Sequence, residues 1–224
     1  MKTSDAGKLE ICEHEGIVPG PYLDSVGVWT YGIGHTSAAG KPVPSTMPRG
    51  MPADIDGEID KALKVFAADL EIYEARVNEH VTVPLEQHEF DALVSFDFNT
   101  GGIWYRTKSG PMANATAIKL LNKGDRKGAA NALLNWLRPP AVTKRRQAER
   151  ALFLTGDYSA NGDEIPIWRV NATGSLKGVL KVVHGEDVLW RMQSPVEPPM
   201  DPVVAWLEEG RRNGHLEWLR RAPV

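Results

Sequence analysis

The chain has 224 residues, 42% of them apolar and 25% charged, with 26 Lys+Arg against 29 Asp+Glu for a net charge of −3. This composition suits a soluble globular protein of about one to one and a half domains with enough apolar material for a core. The single cysteine, Cys12, excludes an internal disulfide framework and a cysteine-rich metal site, and no apolar run approaches the ~18 residues of a membrane span.

Met1-Lys2-Thr3-Ser4-Asp5 lacks the apolar stretch of a signal peptide, so the expected starting compartment is the cytoplasm. Leu9, Ile11, Cys12 and Glu15 recur at helical spacing over residues 5–15, and Gly16 is a natural stop. From Tyr22 to Thr36, β-branched and aromatic residues alternate with Gly27, Gly32 and Gly34, which predicts a small antiparallel hairpin or meander. Residues 37–53 hold four prolines and two glycines and read as a loop.

Asp54–Glu79 is the clearest helix, with Ile55, Ile59, Leu63, Phe66, Leu70, Tyr73 and Val77 in steps of three and four. Phe90, Leu93, Val94, Phe96 and Phe98 form a nearly all-apolar helix, which places it centrally; Gly101-Gly102 ends it. One or two helices follow over 113–137 with a break near Gly124, then a turn at Pro139-Pro140 and a helix from Thr143 to Leu154 stopped by Gly156.

Beyond Tyr158 the character changes. Ile165–Met192 reads as two or three strands, Pro195–Pro202 as a stiff linker and Val203–Arg221 as an amphipathic helix. Two domains are expected, 1–158 and a C-terminal extension, 159–224. Trp168, Trp190, Trp206 and Trp218 lie in the extension, where they either stack on sugars or form the core of a small appendage. Charge is uneven along the chain: Lys119–Arg150 carries nine Lys/Arg against two acids. That excess suits an anionic polymer or a solvated helix face.

The chemistry concentrates early. Glu15 ends a helix, Asp24 opens the hairpin and Thr30 lies inside it, so a helix end facing a hairpin would carry two carboxylates and a hydroxyl across a cleft. Paired carboxylates are the minimal equipment for glycoside hydrolysis, one protonating the leaving oxygen and one activating water. The surrounding residues are Glu15-Gly16, then Asp24-x-x-Gly27-x-x-Thr30-x-Gly32-x-Gly34-His35. Two further blocks follow, Pro84–Gly101 and Lys144–Leu154. Together they closely resemble the phage-type lysozyme (endolysin) family.

The resemblance implies an α+β, mostly helical, bilobed lysozyme fold. A small lobe with a β-meander would be joined by the long helix Asp54–Glu79 to a larger helical lobe. It implies hydrolysis of the β-1,4 bond between N-acetylmuramic acid and N-acetylglucosamine in peptidoglycan. Glu15 would be the general acid, Asp24 the second carboxylate and Thr30 the holder of the attacking water. If the chemistry is inverting, the carboxyl groups should lie about 6.5–9.5 Å apart.

No metal or organic cofactor is expected. Asn99 is a candidate for sugar binding or for capping its helix. Arg145 or Arg146 is expected beside Glu15 in a supporting role, Arg145 first. His35 is expected to be structural, held by an acid such as Asp69, with proton shuttling as the other reading. Cys12 is read as core packing, and Asp97 as a partner of the basic helix or a residue near the cleft.

The implied protein is a monomer that binds neither nucleic acid nor membrane. It would reach the wall from the host cytoplasm through a holin-type pore, with residues 160–224 free to contact a partner. Two rivals stand beside this reading. One is a lytic transglycosylase outcome, in which a sugar hydroxyl replaces water. The other is a non-catalytic or virion-associated muramidase-fold scaffold whose C-terminal extension binds peptidoglycan or a partner.

Overall fold

Local signals set the first helix. The Ser4 hydroxyl accepts from the Gly7 amide at 3.0 Å, capping α1 (Asp5–Glu15), and Gly16 ends it with a φ of 68°. The chain then enters an antiparallel meander of β1 (Val18–Leu23), β2 (Trp29–Gly32) and β3 (His35–Thr36), with β2 in the centre. Two short 3-10 turns, Ser37–Ala39 and Pro44–Thr46, break up the proline-rich loop that follows.

The Asp54 side chain accepts from the Gly57 amide at 2.9 Å and starts α2 (Ile55–His80). Its 26 residues span about 39 Å. It touches β1 and β2 and also α3 (Gln87–Thr100), so one rigid element joins the meander to the helical part. Helix α3 is buried continuously from Glu89 to Asp97, and it is less apolar than expected: Glu89, Asp91, Ser95 and Asp97 are buried with it, each held by a polar partner (Arg126, Ser4, Glu149 and Arg76). Phe90, Leu93, Val94 and Phe96 of this helix share one core with Leu63, Phe66 and Leu70 of α2.

A small hairpin, β4 (Trp104–Arg106) and β5 (Met112–Asn114), follows Gly101 and escaped the sequence reading. Its strands are three residues each, too short to show a period of two. Next come α4 (Thr116–Leu121), α5 (Arg126–Leu133) and α6 (Thr143–Thr155), the last stopped by Gly156 in the left-handed conformation. Helix α6 packs on α3, and α5 packs on α6.

The structure describes residues 1–158 and 163–193. Apart from Gln193, these lie in one compact unit, Met1–Met192. Strands β6 (Glu164–Val170) and β7 (Leu176–His184) form an antiparallel hairpin, and α7 (Gly185–Gln193) follows. The reading of 165–192 as two or three strands is therefore corrected at its end, where the chain is helical. Val188 and Met192 stand one helical turn apart on the packed face, and Glu186 and Asp187 supply first-turn acids.

Ile165, Ile167 and Val188 belong to the same core as Leu9 and Ile11. The junction expected near residue 160, the Pro195–Pro202 linker, the Val203–Arg221 helix, Trp206 and Trp218 lie outside the described residues.

Candidate active site

Glu15 is the last residue of α1, so its carboxylate projects from the point where the helix stops. Gly16 must be glycine on two counts. Its φ is positive, and a Cβ there would meet Trp168 Nε1 at 2.5 Å and the Pro166 carbonyl oxygen at 2.9 Å. Asp24 sits in the turn between β1 and β2. Its Oδ1 accepts from the amides of Val26 at 2.9 Å and Val28 at 2.8 Å, while Gly27 turns the chain with a φ of 84°.

Thr30 lies on the central strand, opposite Tyr22 on one side and Thr36 on the other. Its hydroxyl donates to the Val28 carbonyl at 3.1 Å. Glu15, Tyr22, Asp24, Thr30, Phe98 and Asn99 line one cleft of about 390 Å³. The structure thus brings Glu15, Asp24, Thr30 and Asn99 together. Tyr22 and Phe98, which the sequence did not single out, join the lining with Ser25, Gly34 and Thr36. Burial, followed by the nearby Glu15 and Asp24 carboxylates, pushes the Tyr22 phenol well above its ordinary range, so it stays a neutral hydroxyl.

Behind Glu15 stands a buried ionic network. Arg145 Nη1 donates to the Glu15 carboxylate, and Arg145 Nε donates to Glu149 Oε1 at 3.0 Å. The same Glu149 oxygen accepts from Arg146 Nη2 at 2.8 Å and from the Ser95 hydroxyl at 2.9 Å. Arg146 Nη2 also donates to Asn99 Oδ1 at 3.0 Å, so Asn99 is held at the cleft by a cation beneath it.

The network is under strain from desolvation. Burial pushes the Glu149 carboxyl up despite two arginines, and it lowers Arg146 to about 10. Arg145 moves the other way: burial alone would lower it, but Glu15 and Glu149 together hold it above its ordinary value. Two of the nine cations in the basic stretch are therefore interior groups neutralised by carboxylates, not part of a solvated face.

His35 stands between Gly34 and Thr36, which line the cleft, but does not line it itself. Its Nδ1 lies 2.8 Å from Asp69 Oδ2, and its Nε2 lies 2.8 Å from the Pro42 carbonyl oxygen. A carbonyl only accepts, so Nε2 carries a hydrogen and the ring ties β3 and the loop to α2. Burial raises the Asp69 carboxyl even with His35 beside it.

Asp97 does not pair with the basic helix; it directly precedes the cleft-lining Phe98 and Asn99. It is fully buried, 3.3 Å from Arg76 of α2, and accepts from the Ile103 amide at 3.0 Å. Its role is to tie the end of α3 to the chain that follows. Among the described residues, no group of three or more His, Cys, Asp or Glu side chains is placed to hold a metal, and no helix is long and apolar enough to cross a membrane.

Residues 12–149 match the phage lysozyme family, and the chain belongs to it. It is a lysozyme-type glycoside hydrolase, a muramidase whose substrate is bacterial peptidoglycan. The chain is 33% identical over 159 residues to the endolysin of Salmonella phage P22, covering 69% of this chain and 99% of that one. It is 30% identical over 162 residues to the endolysin of Acyrthosiphon pisum secondary endosymbiont phage 1, covering 68% and 98%. A solved endolysin from Escherichia coli O157:H7 phage FAHEc1 superposes with a TM-score of 0.56 at 30% identity, over 70% of this chain and 96% of that one.

Proposed function

We propose that the chain is an endolysin that hydrolyses the β-1,4 bond between N-acetylmuramic acid and N-acetylglucosamine, with Glu15, Asp24 and Thr30 as its catalytic residues. The observation that carries this reading is the shared cleft of these three side chains, with Glu15 on a helix end and Asp24 and Thr30 on the facing hairpin. Glu15 protonates the glycosidic oxygen as the bond breaks. Asp24, fixed by two amides, offers its carboxylate to the water or to positive charge at the anomeric carbon.

Thr30 spends its hydroxyl hydrogen on the Val28 carbonyl, which leaves the oxygen lone pairs to accept from the water and orient it. Arg145 holds the Glu15 carboxylate in place, and Asn99 contacts the sugar chain. The chemistry resides in residues 1–158 and the protein acts as a monomer. It passes from the host cytoplasm to the wall through a holin-type pore and lyses the host, a role supported by the endolysin relatives.

The test is turbidity clearing of isolated peptidoglycan by the full chain and by Glu15→Gln, with mass analysis of the products. Reducing muropeptides from wild type and none from Glu15→Gln are expected. Anhydro-muropeptides would move the protein to the transglycosylases, and binding without release would make it a scaffold.

A further inference from the structure

The β6–β7 hairpin lies beyond residues 12–149, the part matched to the lysozyme family. Its contacts fall beside the candidate catalytic residues. At the Glu15 end, the Ile17 amide donates to the Pro166 carbonyl at 2.9 Å, and the Trp168 amide donates to the Ile17 carbonyl at 2.8 Å. The Trp168 indole rests on Gly16 itself, close enough that a Cβ there would meet Nε1 at 2.5 Å. At the other end, the Leu23 amide donates to the Gly174 carbonyl at 2.8 Å. A Cβ on Gly174 would meet the Trp29 ring at 2.5 Å. Ile17 is two residues after Glu15, Leu23 immediately precedes Asp24, and Trp29 immediately precedes Thr30.

The rest of the hairpin and the α7 helix that follows it are anchored to the same part of the fold. The Val170 amide reaches Met51 Sδ at 3.3 Å. Lys181 pairs with Asp56, and Arg191 with Asp56 and Asp60, at the start of α2. Ile165, Ile167 and Val170 of β6 are buried, whereas β7 is mostly exposed. The face that the hairpin buries is therefore the one turned to α1 and β1, with which β6 is in contact.

This arrangement has a chemical consequence. The two carboxylates sit on different elements, and the joint between them is a glycine with positive φ, the softest backbone available. Water-activating hydrolysis depends on the gap between the carboxyl groups. Productive geometry tolerates errors of only about 0.5 Å, and a ~1 Å misplacement costs on the order of 10²-fold in rate. A strand hydrogen-bonded on both sides of Ile17, whose hairpin tip also holds Leu23, removes the freedom of that joint.

We infer that the β6–β7 hairpin is a positioning element of the active site, with Trp168 setting the end of α1 that carries Glu15 and Gly174 setting the turn that carries Asp24 and Thr30. The inference rests on the assignment of Glu15 and Asp24 as the acid pair. The hairpin touches no substrate; it acts through the residues it holds.

The test uses the full chain and soluble glycan-strand oligomers prepared from peptidoglycan. Trp168→Ala is expected to lower kcat by roughly 10–100-fold while KM stays within about threefold. Trp168→Phe, which keeps a ring on Gly16, is expected to recover most of kcat. Gly174→Val is expected to lower kcat by a similar factor, again with little change in KM.

Amide hydrogen exchange in the wild type covers the case of a variant that does not fold. Ile17 and Leu23 are expected to exchange as slowly as Phe90 and Val94 in α3. The inference is overturned if Ile17 and Leu23 exchange 100-fold faster than those core amides, or if folded Trp168→Ala keeps wild-type kcat. Full activity in Glu15→Gln would instead overturn the acid assignment. An inactive Glu15→Gln beside a fully active Trp168→Ala would overturn the hairpin inference alone.

Discussion

Arg145 donates to the Glu15 carboxylate through Nη1 and to the Glu149 carboxylate through Nε, so one guanidinium couples the candidate acid to a fully buried ion pair. Removing it does two separable things. Glu15 loses its orienting partner, and Glu149 and Arg146 lose the balance of a site from which water is excluded. Arg145→Gln is expected to lower turnover by roughly 10–100-fold. The uncompensated buried charge should cost about 3–5 kcal/mol, a fall in Tm of roughly 6–20 °C for a chain of this size. Arg145→Lys keeps the charge without the two-armed geometry and should fall between. Thermal melts beside initial clearing rates check both parts.

Asp24 also has two roles, and they can be divided. Its Oδ1 shapes the turn through the Val26 and Val28 amides, while its charge serves the reaction. Asparagine keeps an oxygen that can accept both hydrogen bonds but carries no charge. Asp24→Asn is expected to leave Tm within about 2 °C of wild type and to cut turnover by roughly 10²–10⁴-fold. Asp24→Ala is expected to lose the turn as well, at about 1–2 kcal/mol. Equal Tm values for the two variants would show that the turn does not depend on this side chain.

Glu74 gives the protein a stability dependence on acid. Burial alone would raise this carboxyl, but the Lys2 ammonium at 2.9 Å and the Thr3 amide at 2.8 Å outweigh it and hold it below the ordinary glutamate value. A carboxyl depressed in the folded state adds stability that is fully present above its unfolded value, about 4.3. That contribution is lost as the pH falls through the folded value. Wild type is therefore expected to melt above Glu74→Gln at pH 7, with the gap closing below about pH 4. A gap that is constant with pH would mean that the effect is one of packing.

Cys12 lies one turn before Glu15 and is fully buried. Burial, and after it the nearby Glu15 and Glu13 carboxylates, pushes its thiol far above the ordinary range. The thiolate is the reactive form, so the native protein should not react with an aromatic disulfide reagent over hours at pH 8. One thiol per chain should react at once in denaturant. Fast native labelling would show that α1 opens locally. Cys12→Ala should retain activity with a modest loss of Tm from the small cavity.

Much of this protein was readable along the chain because the signals are local. The stops at Gly16, Gly101 and Gly156 mark helix ends within a few residues of the periodic pattern. Glu15, Asp24 and Thr30 fall within sixteen residues, so a helix end and one hairpin suffice to set them facing. The partner of Asp97 is Arg76 of α2 and not the basic helix, and no spacing rule reports which helices pack.

The partner of Glu15 comes from 130 positions away; the sequence put Arg145 ahead of Arg146, and the phase of α6 against α3 is what turns Arg145 to Glu15 and Arg146 to Asn99. The strand character of Glu164–Val170 was visible, but not the edge it would bond. That edge is Ile17, beside the joint that carries the acid. Periodicity and capping are properties of a segment and its nearest neighbours. Which buried charge meets which, and which strand closes on which loop, is decided only when distant segments compete for the same core.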